Sequence, residues 1–228
     1  MGCEMGRTAA TAMTIRIIHL ITLVYVLLLI GCGGSSQEKT LLHDESILRP
    51  GDLVFRRGTG LVSHTVMLAD NDGSYSHVGI VADSSGVMMV IHAVPGEPDY
   101  EGDPDRVKME PAMKFFNTIN ASLGEICRQD DPEMGKTAAD AALAIYHRGT
   151  LFDHKYNDQD TVKMYCTQLV MECYRKAGCE LTGPPSHSFE LPGLKCTCWL
   201  PSDLYHSTLM HSVCILNQEW DINDHNEQ

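Results

Sequence analysis

The sequence has no excess of basic residues and no apolar stretch long enough to cross a bilayer. It contains 17 Lys and Arg against 30 Asp and Glu, a formal net charge of −13. A chain this acidic is not expected to bind nucleic acid, or to dock on anionic lipid through a basic patch. Its longest apolar run, Ile17 to Ile30, has about 14 residues, whereas a membrane-spanning helix needs about 20.

Two further absences concern metals and repeats. No two cysteines have the CxxC spacing that is typical of structural zinc sites, and no segment is repeated. We therefore expect no bound zinc and no other cofactor. A metal-binding protein is a weaker hypothesis, because it rests only on the content of 11 His and 9 Cys.

The N-terminal segment has the pattern of a secretory signal peptide. Arg7 and Arg16 precede the apolar run, which ends in Leu29-Ile30-Gly31-Cys32, and this ending resembles a bacterial lipobox. The resemblance implies that residues 1–31 are a lipoprotein signal peptide and that Cys32 carries lipid. The protein would then contact the membrane through acyl chains and lie in the cell envelope, facing the periplasm or the exterior. An ordinary secretory signal with an incidental cysteine is the alternative.

The rest of the chain divides into a tether, a domain and a tail. Residues 32–47 begin with a Gly- and Ser-rich stretch typical of flexible linkers, and the acidic residues 217–228 are expected to be disordered. Residues 48–216 form the domain, with a hairpin signal at 83–86. The predicted strands cover 53–56, 77–82, 87–93, 106–109, 124–128 and 212–216, and the predicted helices cover 111–117, 131–148, 166–177 and 202–204, with a loop and a short helix in 58–71.

Cys166 is at the start of a predicted helix, a position with chemical consequences. Unpaired backbone N–H groups and the helix dipole favour a thiolate there, and a thiolate is a nucleophile. N–H groups of the same turn can also face a developing oxyanion. From position alone, a buried core cysteine is an equal alternative.

Histidines in the predicted hairpin are candidates for the base. His77 begins a strand, where an imidazole can face a cleft, and Gly79 leaves room beside it. His92 ends the neighbouring strand, so the two rings are expected to lie side by side, with His92 holding His77 in one tautomer. His64 is a rival base by composition.

Four segments resemble, in order, the motifs of the circularly permuted NlpC/P60 papain-like family of the YiiX and YaeF type. They are Leu48-Arg-Pro-Gly-Asp-Leu-Val-Phe55, Tyr75-Ser-His-Val-Gly-Ile-Val81, Val90-Ile-His-Ala93 and Tyr165-Cys-Thr-Gln-Leu-Val170. In ordinary NlpC/P60 enzymes the cysteine helix precedes the histidine strand, and here the order is reversed, as in the permuted branch. Leu151-Phe-Asp-His-Lys-Tyr156 is also similar to the segment that precedes the family's cysteine.

This resemblance implies an α+β papain-like fold, in which a mainly antiparallel sheet packs against the Cys166 helix. It implies that Cys166 is the nucleophile, that His77 is the base and later the acid, and that His92 orients His77. His64 falls outside the matched motif. The family commonly has a glutamate at the position of His92, and a neutral histidine stabilises an imidazolium less than a carboxylate does.

The implied function is that of a lipid-anchored cysteine hydrolase or amidase that forms an acyl-thioester at Cys166. Its partner would be an amide in a cell-wall peptide or in an N-acylated or lipid-linked molecule, and the resemblance supports both. The alternative is a non-catalytic lipoprotein that keeps the fold and binds a peptide or an acyl chain. The departure from the family's glutamate at residue 92 suggests this second hypothesis.

Overall fold

The computed structural model describes residues 39–70, 73–191 and 194–217. The predicted signal peptide, Cys32 and the tail beyond residue 217 lie outside the described residues. Within the described ranges, none of the helices is both long and apolar enough to cross a membrane.

An eight-stranded sheet forms the centre of the fold. Its strands lie in the order β10-β5-β1-β2-β3-β4-β6-β7, and every pair is antiparallel except β6 with β7. A separate hairpin pairs β8 with β9. The strands are β1 (Leu53–Gly58), β2 (His77–Ser84), β3 (Val87–Val94), β4 (Arg106–Pro111), β5 (Ala121–Arg128), β6 (Leu151–Phe152), β7 (Lys163–Met164), β8 (His187–Leu191), β9 (Leu194–Cys198) and β10 (His211–Leu216).

Helices lie on both faces of this sheet. They are α1 (Leu61–Ala69), α2 (Ala112–Phe115), α3 (Pro132–His147), α4 (Cys166–Lys176) and α5 (Pro201–Tyr205). The long helix α3 begins where predicted, because the Asp131 side chain accepts from the backbone N–H groups of Glu133 and Met134. The predicted α+β class and the mainly antiparallel sheet are confirmed.

The central hairpin of β2 and β3 turns where the sequence indicates. Ser85 and Gly86 both have positive φ, 59° and 86°, which is the backbone of a tight hairpin turn. The Asp83 carboxylate accepts from the Gly86 N–H at 2.6 Å and closes the turn. This turn sets the register in which Ile80 faces Ile91.

Side chains alternate between the two faces of β2, and this alternation separates two clusters. Val78, Ile80 and Ala82 point into the core beneath α3 and α4, so His77 and Val81 point to the other face. There Val81 joins the smaller cluster that includes Phe115 of α2. The sheet thus places His77 on the α2 face, whereas the Cys166 helix packs on the opposite face.

The described part of the predicted tether, residues 39–47, packs against the domain. Leu41 and Leu42 are buried in the smaller cluster, and the Leu41 N–H donates to the Phe116 carbonyl at 3.0 Å. Asp44 caps a short 3-10 helix, Glu45–Ile47. The packed part of the chain therefore includes residues 41–47, which the sequence assigns to the tether, because two adjacent leucines gain more from burial than from a solvated linker.

Candidate active site

Cys166 is the first residue of α4. The chain arrives from the short strand β7, and Tyr165 is the N-cap residue with an extended backbone. No acidic side chain lies in the first turn, so the N–H groups there are not neutralised by a carboxylate. The half-buried Cys166 side chain is therefore held where backbone donors converge.

The sulfur of Cys166 lies against the backbone of Val78, the residue that follows His77 in β2. Backbone N–H groups of Val78, Thr167 and Cys166 itself interact with the sulfur and lower its pKa, but burial has the larger effect and raises the pKa to about 11. From position alone, the sequence left a stabilised thiolate and a buried cysteine as equal alternatives. Burial favours the second, because loss of water around the sulfur outweighs the helix N–H groups.

His77 and His92 are in direct contact. His77 Nε2 lies 2.9 Å from His92 Nδ1, and both side chains are buried. Gly79 provides the space for this pair, since a Cβ at residue 79 would lie 3.2 Å from the His92 Cβ and 2.5 Å from the Val90 Cγ1.

Glu110, on the neighbouring strand β4, adds a carboxylate to the histidine pair, and the three side chains form an array. Its Oε1 atom lies 3.2 Å from His92 Nε2, and both side chains are almost fully buried. The distance is within hydrogen-bond range, but the angles fall short of a well-aligned hydrogen bond. Burial alone would raise the pKa of Glu110; contact with His92 and the charges of Arg56 and Lys114 outweigh it and lower the pKa to about 2. Glu110 is therefore ionised.

An ionised Glu110 favours one arrangement of protons on the two rings. A carboxylate only accepts, so the contact favours a proton on His92 Nε2. Burial lowers the pKa of His92 despite the opposing influence of Glu110, which favours a neutral ring whose Nδ1 accepts from His77 Nε2. In this arrangement Nδ1 of a neutral His77 is the free basic nitrogen.

Arg56 helps to keep His77 neutral. Burial lowers the pKa of His77 well below its ordinary value, and the charges of Arg56 and His92 lower it further. The guanidinium lies over the Phe115 ring, 4.6 Å from its centroid, and pairs with Glu97. The aromatic ring also contacts both histidines, with centroids 5.9 Å from His77 and 5.2 Å from His92.

An apolar cavity of about 180 Å³ opens beside Cys166. Its wall is largely aromatic and aliphatic and comes from the start of α4, from α1 and from the β8–β9 hairpin. The lining includes Val66, Tyr156, Tyr165, Phe189, Trp199 and Leu200. Tyr156 ends the segment that resembles the family's residues ahead of the cysteine, and its ring packs on that of Tyr165 with centroids 5.4 Å apart.

A second, more polar pocket of about 300 Å³ lies beside His77. Arg56, Glu97 and Ser63 line it, and Ser76 lines both this pocket and the apolar cavity. Among the described residues, no hydrogen bond joins the Cys166 sulfur to the His77 ring. The sulfur instead contacts the Val78 backbone, whereas the His77 ring lies against Phe115 on the α2 face. The structure therefore does not bring the two side chains into contact, and proton transfer requires them to approach each other, as catalytic groups often do only when substrate binds.

His64, the rival base, is exposed on α1 and lines neither pocket. It is therefore not placed to act on a substrate bound in either one.

Glu110 was not identified from the sequence. The predicted strand ended at Met109, and only the register of β3 with β4 places Glu110 near His92. Within the described residues, no group of three or more His, Cys, Asp or Glu side chains is arranged to hold a metal ion.

Fold and site together define a papain-like cysteine hydrolase. A family model for the permuted papain-like amidase enzymes of the YaeF/YiiX type, the C92 family, matches residues 47–185, and the chain belongs to this family of amidases. The order of its motifs, with the histidine strand before the cysteine helix, agrees with a permuted member.

A solved structure supports the fold. The chain resembles metalloprotein yiiX from Escherichia coli O157:H7 with a TM-score of 0.58 and 17% sequence identity, over 73% of this chain and 96% of that one. At this identity the likeness concerns the fold alone. A comparison with curated proteins finds no match.

Proposed function

We propose that the protein is a lipid-anchored cysteine amidase that acts through an acyl-thioester at Cys166. Nδ1 of His77 takes the thiol proton as the sulfur attacks the amide carbonyl, and the protonated His77 then gives this proton to the leaving amine. Water, activated by His77, hydrolyses the thioester. The observation that carries the proposal is the array Glu110–His92–His77, which leaves one basic nitrogen free next to the strand residue that contacts the sulfur.

Backbone donors around the sulfur are suited to the oxyanion. The N–H groups of Cys166 and Thr167 are in the first turn of α4, and the N–H of Val78 is on the facing strand. A tetrahedral intermediate places its negative oxygen next to the attacked carbon, so donors close to the sulfur are in position to stabilise it.

The acyl group is apolar in this proposal. The cavity beside Cys166 is walled mainly by aromatic and aliphatic side chains, which favours an N-acylated, lipid-linked substrate over a charged cell-wall peptide. The test compares hydrolysis of octanoyl-p-nitroanilide and γ-glutamyl-p-nitroanilide. We expect kcat/KM to be at least about tenfold higher for the octanoyl compound, with no activity in Cys166→Ala. A preference for the γ-glutamyl compound would contradict the acyl assignment.

A matched pair of variants on α1 tests the cavity itself. Val66 lines the cavity, whereas Leu68, on the same helix, is 82% exposed and lines neither pocket. Val66→Asn should lower kcat/KM for the octanoyl substrate, because it puts an amide on an apolar wall, and Leu68→Asn should leave it unchanged. Equal effects would show that the acyl chain lies elsewhere.

Lipid attachment at Cys32 is a separate part of the proposal and has its own experiment. The lipobox-like ending of the apolar run supports it. Intact-mass analysis of the membrane fraction should find a chain that begins at Cys32 and carries diacylglyceryl, and Cys32→Ala should leave the protein unlipidated. An unmodified N-terminus in the wild type would exclude the anchor and leave the amidase proposal standing.

A non-catalytic acyl-binding protein is the second candidate. The raised pKa of Cys166 favours it, because a protonated thiol is a poor nucleophile. In that case the wild type and Cys166→Ala would bind octanoic acid equally and neither would turn over octanoyl-p-nitroanilide. Turnover of octanoyl-p-nitroanilide by the wild type and not by Cys166→Ala would exclude the non-catalytic binding protein.

A further inference from the structure

Two cysteines besides Cys166 line the apolar cavity. Cys196 and Cys198 lie two residues apart on β9, so their side chains point to the same face of the strand, and both contribute to the cavity wall. Cys196 is partly exposed, whereas Cys198 is buried. The proposed mechanism uses neither thiol.

The strand spacing brings this pair within range of a disulfide. Residues two apart on a strand have Cα atoms about 6.6 Å apart, at the upper end of the range that disulfides span, about 4.4 to 6.8 Å. A bridge also needs Cβ atoms about 4 Å apart, and an extended strand does not bring them that close. Closing the bond must therefore bend the backbone at Thr197, and disulfides under strain are the easily reduced, switchable ones.

The next residue connects β9 to the nucleophile. Trp199 donates from its backbone N–H to the Tyr165 hydroxyl at 3.3 Å, and its carbonyl accepts from Thr167 Oγ1 at 2.9 Å. Tyr165 and Thr167 are the two neighbours of Cys166 in the chain. A bend at Thr197 would therefore move a residue that is hydrogen-bonded to both chain neighbours of Cys166.

We propose that Cys196 and Cys198 form a reversible dithiol–disulfide site whose oxidation acts on Cys166 through Trp199. The oxidant is a low-molecular-weight disulfide, RSSR. The Cys196 thiolate attacks one sulfur of RSSR and releases RSH, and Cys198 then attacks the Cys196 sulfur and releases the second RSH. Two thiols and one RSSR thus become one protein disulfide and two RSH. Burial, with a contribution from the neighbouring Cys196, raises the pKa of Cys198 to about 12, which makes the exposed Cys196 the entry point.

Disulfide formation does not depend on the proposed function, but the effect on turnover does. The first experiment therefore incubates the wild type, Cys166→Ala, Cys196→Ser and Cys214→Ser with oxidised glutathione, alkylates the remaining thiols and maps peptides by mass spectrometry. Cys214 is a matched control, because it is equally half-exposed but lies on β10 and outside the cavity. We expect the 196–198 bridge in all proteins except Cys196→Ser. A glutathione adduct on Cys196 that never resolves, or a bridge to Cys166, would overturn the proposal.

The second experiment measures the connection to Cys166 without a substrate. The rate at which iodoacetamide labels Cys166 is compared in oxidised and reduced protein. We expect a change of at least about tenfold in the wild type and in Cys214→Ser, reversed by dithiothreitol, and no change in Cys196→Ser. Equal labelling rates in oxidised and reduced wild type would overturn the connection. If the labelling responds and octanoyl-p-nitroanilide is never hydrolysed, the proposed function fails and the dithiol site stands.

Discussion

The Nε2 atom of His92 lies 3.2 Å from Oε1 of Glu110, and this contact favours the tautomer of His92 whose Nδ1 accepts from His77 Nε2. The family commonly has a glutamate at the position of His92. In this chain a carboxylate is present one strand further away, and an imidazole lies between it and His77. In the proposed mechanism, the negative charge that stabilises an imidazolium at His77 acts through His92.

Replacing Glu110 should reduce kcat, and the reduction should be larger when both the charge and the hydrogen-bond acceptor are lost. Glu110→Gln keeps an oxygen that accepts from His92 but loses the charge, and we expect kcat to fall about tenfold. Glu110→Ala also frees the His92 tautomer, and we expect a fall of about 100-fold. Lys114→Ala is the control, because Lys114 contacts Glu110 from the exposed side at 3.3 Å without touching the histidines. Steady-state kinetics with wild-type values in Glu110→Ala would show that the carboxylate has no catalytic effect.

The pair of residues 92 and 110 should show strong coupling. His92→Glu places a second carboxylate beside Glu110 in a buried site, and one of the two must then take up a proton or repel the other. We expect this variant to be nearly inactive, and the double variant His92→Glu/Glu110→Gln to recover at least about tenfold in kcat. Additive effects in this double-mutant cycle would mean that the two side chains do not interact.

Alkylation of Cys166 should depend steeply on pH in the absence of substrate. With a pKa of about 11, the thiol is almost fully protonated at neutral pH, and the thiolate fraction rises about tenfold for each pH unit below the pKa. The rate of Cys166 labelling by iodoacetamide, followed by peptide mapping, should therefore increase about tenfold per unit from pH 7 to pH 10. A rate that is already constant between pH 6 and pH 9 would indicate a preformed ion pair with His77.

The close approach of Gly51 to helix α3 predicts a large effect on stability. A Cβ at Gly51 would lie 2.3 Å from the Gly135 Cα, whereas a Cβ at Gly102 would have no atom within 4 Å, and both glycines have positive φ, 92° and 83°. Both substitutions by alanine incur backbone strain of about 1 kcal/mol, but Gly51→Ala adds overpacking of about 1–3 kcal/mol. In thermal unfolding, Gly51→Ala should melt several degrees below Gly102→Ala. Equal melting temperatures would show that the turn relaxes freely.

The elements that carry Cys166, His77 and His92 could be predicted because local signals specify them. Ser85 and Gly86 define the hairpin turn, and the helical spacing after Cys166 defines α4. Both are properties of short segments. Together with the quoted motifs, they were enough to place the nucleophile helix and the histidine strands in one α+β fold.

The rest of the site depends on contacts between distant segments. Glu110 reaches His92 only through the pairing of β3 with β4, in which Val90 faces Glu110, and no local pattern reveals that register. The β8–β9 hairpin, which supplies Phe189 to the cavity, was not predicted because proline and glycine residues interrupt its apolar pattern. The direction of the Cys166 pKa shift could not be predicted, since burial of a side chain is not visible in a helix-start signal.

The central claim is that Cys166 is acylated during turnover, and intact-mass spectrometry tests it most directly. The protein is mixed with octanoyl-p-nitroanilide, quenched in acid within one turnover and digested for peptide mapping. We expect an added octanoyl group on Cys166 that hydroxylamine removes, and none in Cys166→Ala. Turnover without any octanoyl adduct, or an adduct that persists in Cys166→Ala, would contradict the account.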